Sequence, residues 1–146
     1  MGKTDLPIAL DLDGLKVYLT KRGVVFAYLF GSLAKGSEGS LSDVDMALYF
    51  TPHLSKSERF DLRLRIIGET SPFFKGRTTD VVILNDAPIG LAYEVIKEGV
   101  LLYCLDEASR VEVETRILSK YLDRRYYDKR HAETVLRQIA HEGLIS

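Results

Sequence analysis

Asp43 and Asp45 stand two residues apart in Ser42-Asp43-Val44-Asp45-Met46-Ala47-Leu48-Tyr49-Phe50, whose apolar run predicts a buried strand. Successive side chains on a strand alternate faces, so the two carboxylates share one face, about 6–7 Å apart at Cα. On a helix the same spacing would make them diverge. Two carboxylates on one face can hold divalent metal ions. Upstream, Gly31-Ser32-Leu33-Ala34-Lys35-Gly36 follows Val24-Val25-Phe26-Ala27-Tyr28-Leu29-Phe30, a β-branched and aromatic run that predicts a strand ending on glycine. Glycine lets a ligand approach the backbone closely, and N–H groups at a turn entering a helix form a concave anion site suited to phosphates. Ser32 adds a hydroxyl donor. Phosphates beside an Asp-x-Asp pair point to phosphoryl or nucleotidyl transfer assisted by two metal ions.

A Gly-Ser dipeptide alone is usually a turn, and an Asp-x-Asp alone is common on edges and loops. Their joint spacing is more specific. Gly31-Ser32, ten intervening residues, then Asp43-Val44-Asp45 resembles the signature of the DNA polymerase β-like nucleotidyltransferase superfamily. The short chain and its tail are most similar to the minimal nucleotidyltransferases that act as antitoxins to HEPN ribonuclease toxins. The resemblance implies transfer of AMP from ATP to a tyrosine hydroxyl of a cognate HEPN toxin, with Mg²⁺ as cofactor, two ions, and a hetero-oligomer with that toxin. Gly31, Ser32, Lys35 and Ser42 would hold the nucleotide, and Asp43 and Asp45 the metal. Lys35 stands where relatives often carry arginine, which keeps the charge and loses the planar fork. Asp80, near the start of a strand predicted over Arg77–Leu84, is a strand-start turn residue on its own. The resemblance makes it a third metal ligand or the general base toward the incoming hydroxyl. A small-molecule nucleotidyltransferase and an antitoxin acting by binding alone are the alternatives.

The elements that must position these residues follow from hydrophobic periodicity. An amphipathic helix is expected from Ile8 to about Arg22, closed by Gly23. It contains a second pair, Asp11 and Asp13, which on a helix diverge and which follow no glycine turn. Ser55 with Glu58 forms a capping box opening a helix to Glu69, with Phe60, Leu62, Leu64, Ile66 and Ile67 as its apolar face. Its charges Lys56, Arg59, Arg63 and Arg65 are expected on a solvated face. Gly68 to Gly76 reads as a connecting loop. Asp86 is expected to cap a helix with Pro88 in its first turn, running to Glu98, before a short strand from Val100 to Cys104. From Asp106 the chain reads as helical, with Val111, Val113, Ile117, Leu118 and Tyr121 on one side and a break near Asp128.

The fold class expected is α/β, a small mixed sheet with flanking helices and a helical C-terminal tail. At 146 residues the chain fits one domain, a core over about 1–105 and a tail over about 106–146. A net charge of −1 gives no global attraction to nucleic acid, and no direct nucleic-acid binding is expected. One cysteine, Cys104, excludes an internal disulfide and suits a reducing compartment. With no apolar run of transmembrane length, the expected location is cytoplasmic, without a membrane.

Overall fold

The computed structural model describes residues 10–31 and 43–142. In chain order come α1 (Leu12–Lys21), β1 (Val24–Phe30), β2 (Val44–Phe50), α2 (Lys56–Glu69), a 3-10 turn (Ser71–Phe74), β3 (Thr79–Ile83), α3 (Ile89–Glu98), β4 (Val100–Cys104) and α4 (Glu107–Glu142). The expected α/β order is observed, and the loop expected between Gly68 and Gly76 winds into the 3-10 turn that buries Phe74.

Four strands form one mixed sheet in the order β3-β2-β1-β4. β1 is antiparallel to both β2 and β4, whereas β2 and β3 are parallel, a pairing that needs a crossover and receives it from α2. Both faces of the sheet are covered. Val44, Met46, Leu48 and Phe50 pack on one face with Leu15 and Leu19 of α1 and Ile66 of α2. Ala47 and Tyr49 pack on the other with Phe26 and Tyr28, Ala92 and Val95 of α3, and Val113 and Ile117 of α4. That double burial explains why β1 and β2 read as continuous apolar runs without a polar alternation.

Local chemistry sets most helix ends. Asp11 caps α1 by accepting from the Gly14 N–H at 3.0 Å, and Gly23, φ 85°, follows its C-cap. Ser55 and Glu58 make both bonds of the capping box. At α3 the expectation is corrected: Pro88 is the N-cap, with no side-chain bond, and Asp86 instead binds Arg59 through two hydrogen bonds of 2.9 and 2.6 Å. The break expected near Asp128 does not occur. No glycine or proline falls between 107 and 142, and aspartate's helix penalty is well under 1 kcal/mol.

Two apolar assignments are also corrected. Phe60 and Leu64 are each 52% exposed, because α2 turns Leu62, Ile66 and Ile67 to the core instead. On α4, Val113 and Ile117 are buried while Val111 and Leu118 lie exposed around the helix from them. Arg59 and Arg63, expected among the solvated charges, reach back to the body: Arg59 donates to the Leu54 carbonyl at 2.8 Å and Arg63 to the Val81 carbonyl at 2.6 Å. Among the described residues no helix is long and apolar enough to cross a membrane.

Candidate active site

β1 ends where β2 and β3 begin, so residues from three strands meet along one row of the sheet. Asp45 pairs with Phe30 of β1 on one side and with Asp80 of β3 on the other. Register neighbours on adjacent strands project to the same face, which places the Asp45 and Asp80 carboxylates side by side. Asp43 lies immediately before β2, two residues from Asp45 and therefore on that same face.

Gly31 closes the arrangement. It follows the last residue of β1 with φ +85°, a region that side chains other than glycine rarely adopt. A Cβ there would stand 2.5 Å from Oδ2 of Asp45. Glycine is thus required twice over, by its own dihedral and by the carboxylate packed against it.

The three acids share one electrostatic environment. Burial, then the charges of Asp80 and Asp43, push the Asp45 carboxyl above its ordinary range. The outer two are each steadied by a donor. The Thr78 hydroxyl donates to Asp43, and the Thr78 carbonyl accepts from the Val44 N–H at 2.9 Å, tying the start of β2 to the residue before β3. Oδ1 of Asp80 accepts from the Val81 N–H at 2.9 Å and lies 3.4 Å from the Arg63 guanidinium. Among the described residues no three carboxylate, imidazole or thiol groups already converge as a formed metal cage. The donor set nevertheless suits a hard cation: oxygen-only ligands, with mutual repulsion at Asp45 that a positive charge would relieve.

Of the residues singled out in the sequence, Gly31, Asp43, Asp45 and Asp80 come together. Ser32, Lys35 and Ser42 lie outside the described residues. Arg77 precedes β3. Sequence reasoning missed Arg63, Thr78 and Phe30. Thr78 and Phe30 were visible as strand-end neighbours of the acids; Arg63 meets Asp80 across 17 residues, which leaves no local signal. Asp11 and Asp13 stay on α1, where Asp11 is used as a cap. Burial raises the Cys104 thiol pKa, which disfavours its thiolate.

A family model described as polymerase beta, nucleotidyltransferase matches residues 14–108. The comparison with curated proteins finds no match. Among solved structures, the chain resembles a toxin–antitoxin with AMP-PNP at TM-score 0.66 and 20% identity, covering 87% of this chain and 99% of that one. It also resembles a chain of the tri-AMPylated Shewanella oneidensis HEPN toxin in complex with MNT antitoxin, at TM-score 0.60 and 18% identity over 86% and 96% of the two chains. A chain of the toxin–antitoxin MntA-HepT gives TM-score 0.60 and 18% identity over 86% and 97%. At these identities the likeness establishes the shared fold, a mixed four-stranded sheet with flanking helices and a long C-terminal helix.

Proposed function

This chain belongs to the polymerase beta nucleotidyltransferase family, and from that premise we propose that it transfers AMP from ATP to a tyrosine hydroxyl of a cognate HEPN ribonuclease toxin and so neutralises it. The observation that carries the reading is the row of carboxylates abutting the Gly31 turn. Gly31, with Ser32, Lys35 and Ser42, binds the triphosphate. Asp43, Asp45 and Asp80 would hold Mg²⁺, which would offset the charge on the transferring phosphoryl group. The tyrosine oxygen bonds to the α-phosphorus as the bond to pyrophosphate breaks, and pyrophosphate leaves.

A tyrosine hydroxyl has a pKa of about 10, so at neutral pH it needs help to lose its proton. Asp80, exposed as Asp43 is, lies on an edge strand where an acceptor can reach it. There it takes the proton or completes the metal ligands. The similarity to toxin–antitoxin complexes, one with AMP-PNP and one with an AMPylated HEPN toxin, supports both donor and acceptor. AMP on a tyrosine beside a ribonuclease site adds bulk and negative charge where RNA phosphates bind.

The test is to incubate the HEPN partner, ATP and Mg²⁺ with the wild type or with Asp43→Asn and to weigh the partner by intact mass spectrometry. A gain of one or more AMP masses with the wild type alone is expected. No gain, with both proteins neutralising the toxin equally, would replace this reading by inhibition through binding.

A further inference from the structure

α4 is 36 residues long, on the order of 54 Å at 1.5 Å per residue. Its first turns are anchored: Val113 and Ile117 are buried, Glu114 accepts from the Tyr28 hydroxyl, and Tyr121 stacks on Tyr93 with ring centroids 3.8 Å apart. Every residue from Leu122 to Gln138 is exposed. In proteins most helical stability comes from packing of an amphipathic face, and this stretch packs against nothing among the described residues.

The exposed half has a patterned face. At 100° per residue, Val111, Leu118, Leu122, Lys129 and Leu136 fall within an arc of about 40°, with Arg125 about 20° beyond one edge and Glu133 about 20° beyond the other. The four apolar residues are 53%, 41%, 52% and 65% exposed. Arg110, Arg116 and Arg124 each have a carboxylate partner on α4 itself, whereas Arg125 and Lys129 have none among the described residues. Residues 120–130 carry five basic against two acidic side chains in a chain of net charge −1. Beside the arc, a groove of about 280 Å³ lies between α4 and the first turn of α3, and Arg124, Arg125 and Asp128 line it. That turn has no side-chain cap and adds partial positive charge.

From this arrangement we propose that the exposed face of α4 is the docking surface for an acidic partner protein, whose carboxylates meet Arg125 and Lys129 between two apolar contacts. A second copy of this chain is the wrong occupant. Paired antiparallel about Tyr127, the midpoint of the two cations, α4 would set Arg125 against Lys129, and paired parallel in register it would set each against itself. Like charges at the centre of an interface oppose association. Taken as the acceptor of the proposed transfer, the partner rests on that reading; the surface itself needs no catalysis.

The experiment uses the full chain and its cognate HEPN protein, with affinity measured by calorimetry and helicity by circular dichroism. Arg125→Glu with Lys129→Glu should weaken the complex at least about a hundredfold, and Leu122→Ala with Leu136→Ala about tenfold. Lys120→Glu, on the opposite side of α4, should change affinity less than about twofold. Asp43→Asn should bind like the wild type, so a failure of transfer chemistry is separable from a failure of docking. Wild-type helicity with undiminished affinity in the double reversal would overturn the proposal. So would absence of a wild-type complex, or a dimer of the chain alone that the reversal alters.

Discussion

The chain carries the Asp-x-Asp pattern twice, as Asp11-Leu12-Asp13 at the start of α1 and as Asp43-Val44-Asp45 at the start of β2. Both copies even press a carboxylate against a glycine: a Cβ on Gly14 would stand 2.4 Å from Asp11 Oδ2, and one on Gly31 2.5 Å from Asp45 Oδ2. The similarity ends with the backbone. On α1 the Asp11 oxygen accepts from the Gly14 N–H and is consumed in capping, while Asp13 sits in the first turn. On β2 the pleat aligns Asp43 with Asp45, and the parallel register adds Asp80, so the acids act on one another instead of on their own helix. One pair is spent on its own helix; the other is collected with a third acid.

The sharpest way to break that contrast is to neutralise each pair in turn. Asp43→Asn with Asp45→Asn should lower AMP transfer by on the order of a thousandfold, while Asp11→Asn with Asp13→Asn leaves it within about twofold, both followed by partner mass. Gly31→Ala comes next. Its positive φ costs about 1–2 kcal/mol and its Cβ displaces Asp45, so transfer and urea stability should fall together. Asp11→Ala should remove about 1 kcal/mol of stability in urea and leave transfer unchanged.

The smallest effect separates the two pairs by pH. The Asp45 carboxyl is raised in the fold by burial and by Asp80 and Asp43, so the native state binds that proton more tightly than the unfolded chain. Stability from this group is therefore fullest below the ordinary carboxylate range and is lost as pH rises through the raised value. Asp45→Asn should be more stable than the wild type at pH 7, with the difference closing below about pH 4 in urea titrations. A gap that widened toward acid would reverse the sign assigned to Asp45.

What was legible follows the range of the interactions. The Ser55 and Glu58 box, Gly23 after α1 and the runs of β1 and β2 are local, and each lies where the sequence places it. Asp86 was misassigned because its competitor for a role, Arg59, lies 27 residues away, and no turn signal reports a distant guanidinium. Phe60 and Leu64 fit a helical period as well as Leu62 and Ile66 do; the packing of α2 on β3 chose between them. In the candidate site, Gly31, Asp43 and Asp45 are marked by strand ends and a period of two. That β3 lies beside β2 in register with Asp80 came through family resemblance, since periodicity within β3 cannot name its neighbour.

β3 is an edge strand, held to β2 on one side and to α2 by the buried Thr70 and Thr79 hydroxyls, which meet at 2.8 Å and reach the Ile66 and Ile67 carbonyls. Its pairing joins Asp45 to a residue 35 positions later, across an intervening helix, so loop-closure entropy is spent before any contact rewards it. During synthesis, residues 43–45 emerge from the ribosome before residue 80 does. A growing or half-folded chain therefore displays two acids without the third, and the transfer chemistry proposed for it waits until the edge of the sheet is sealed.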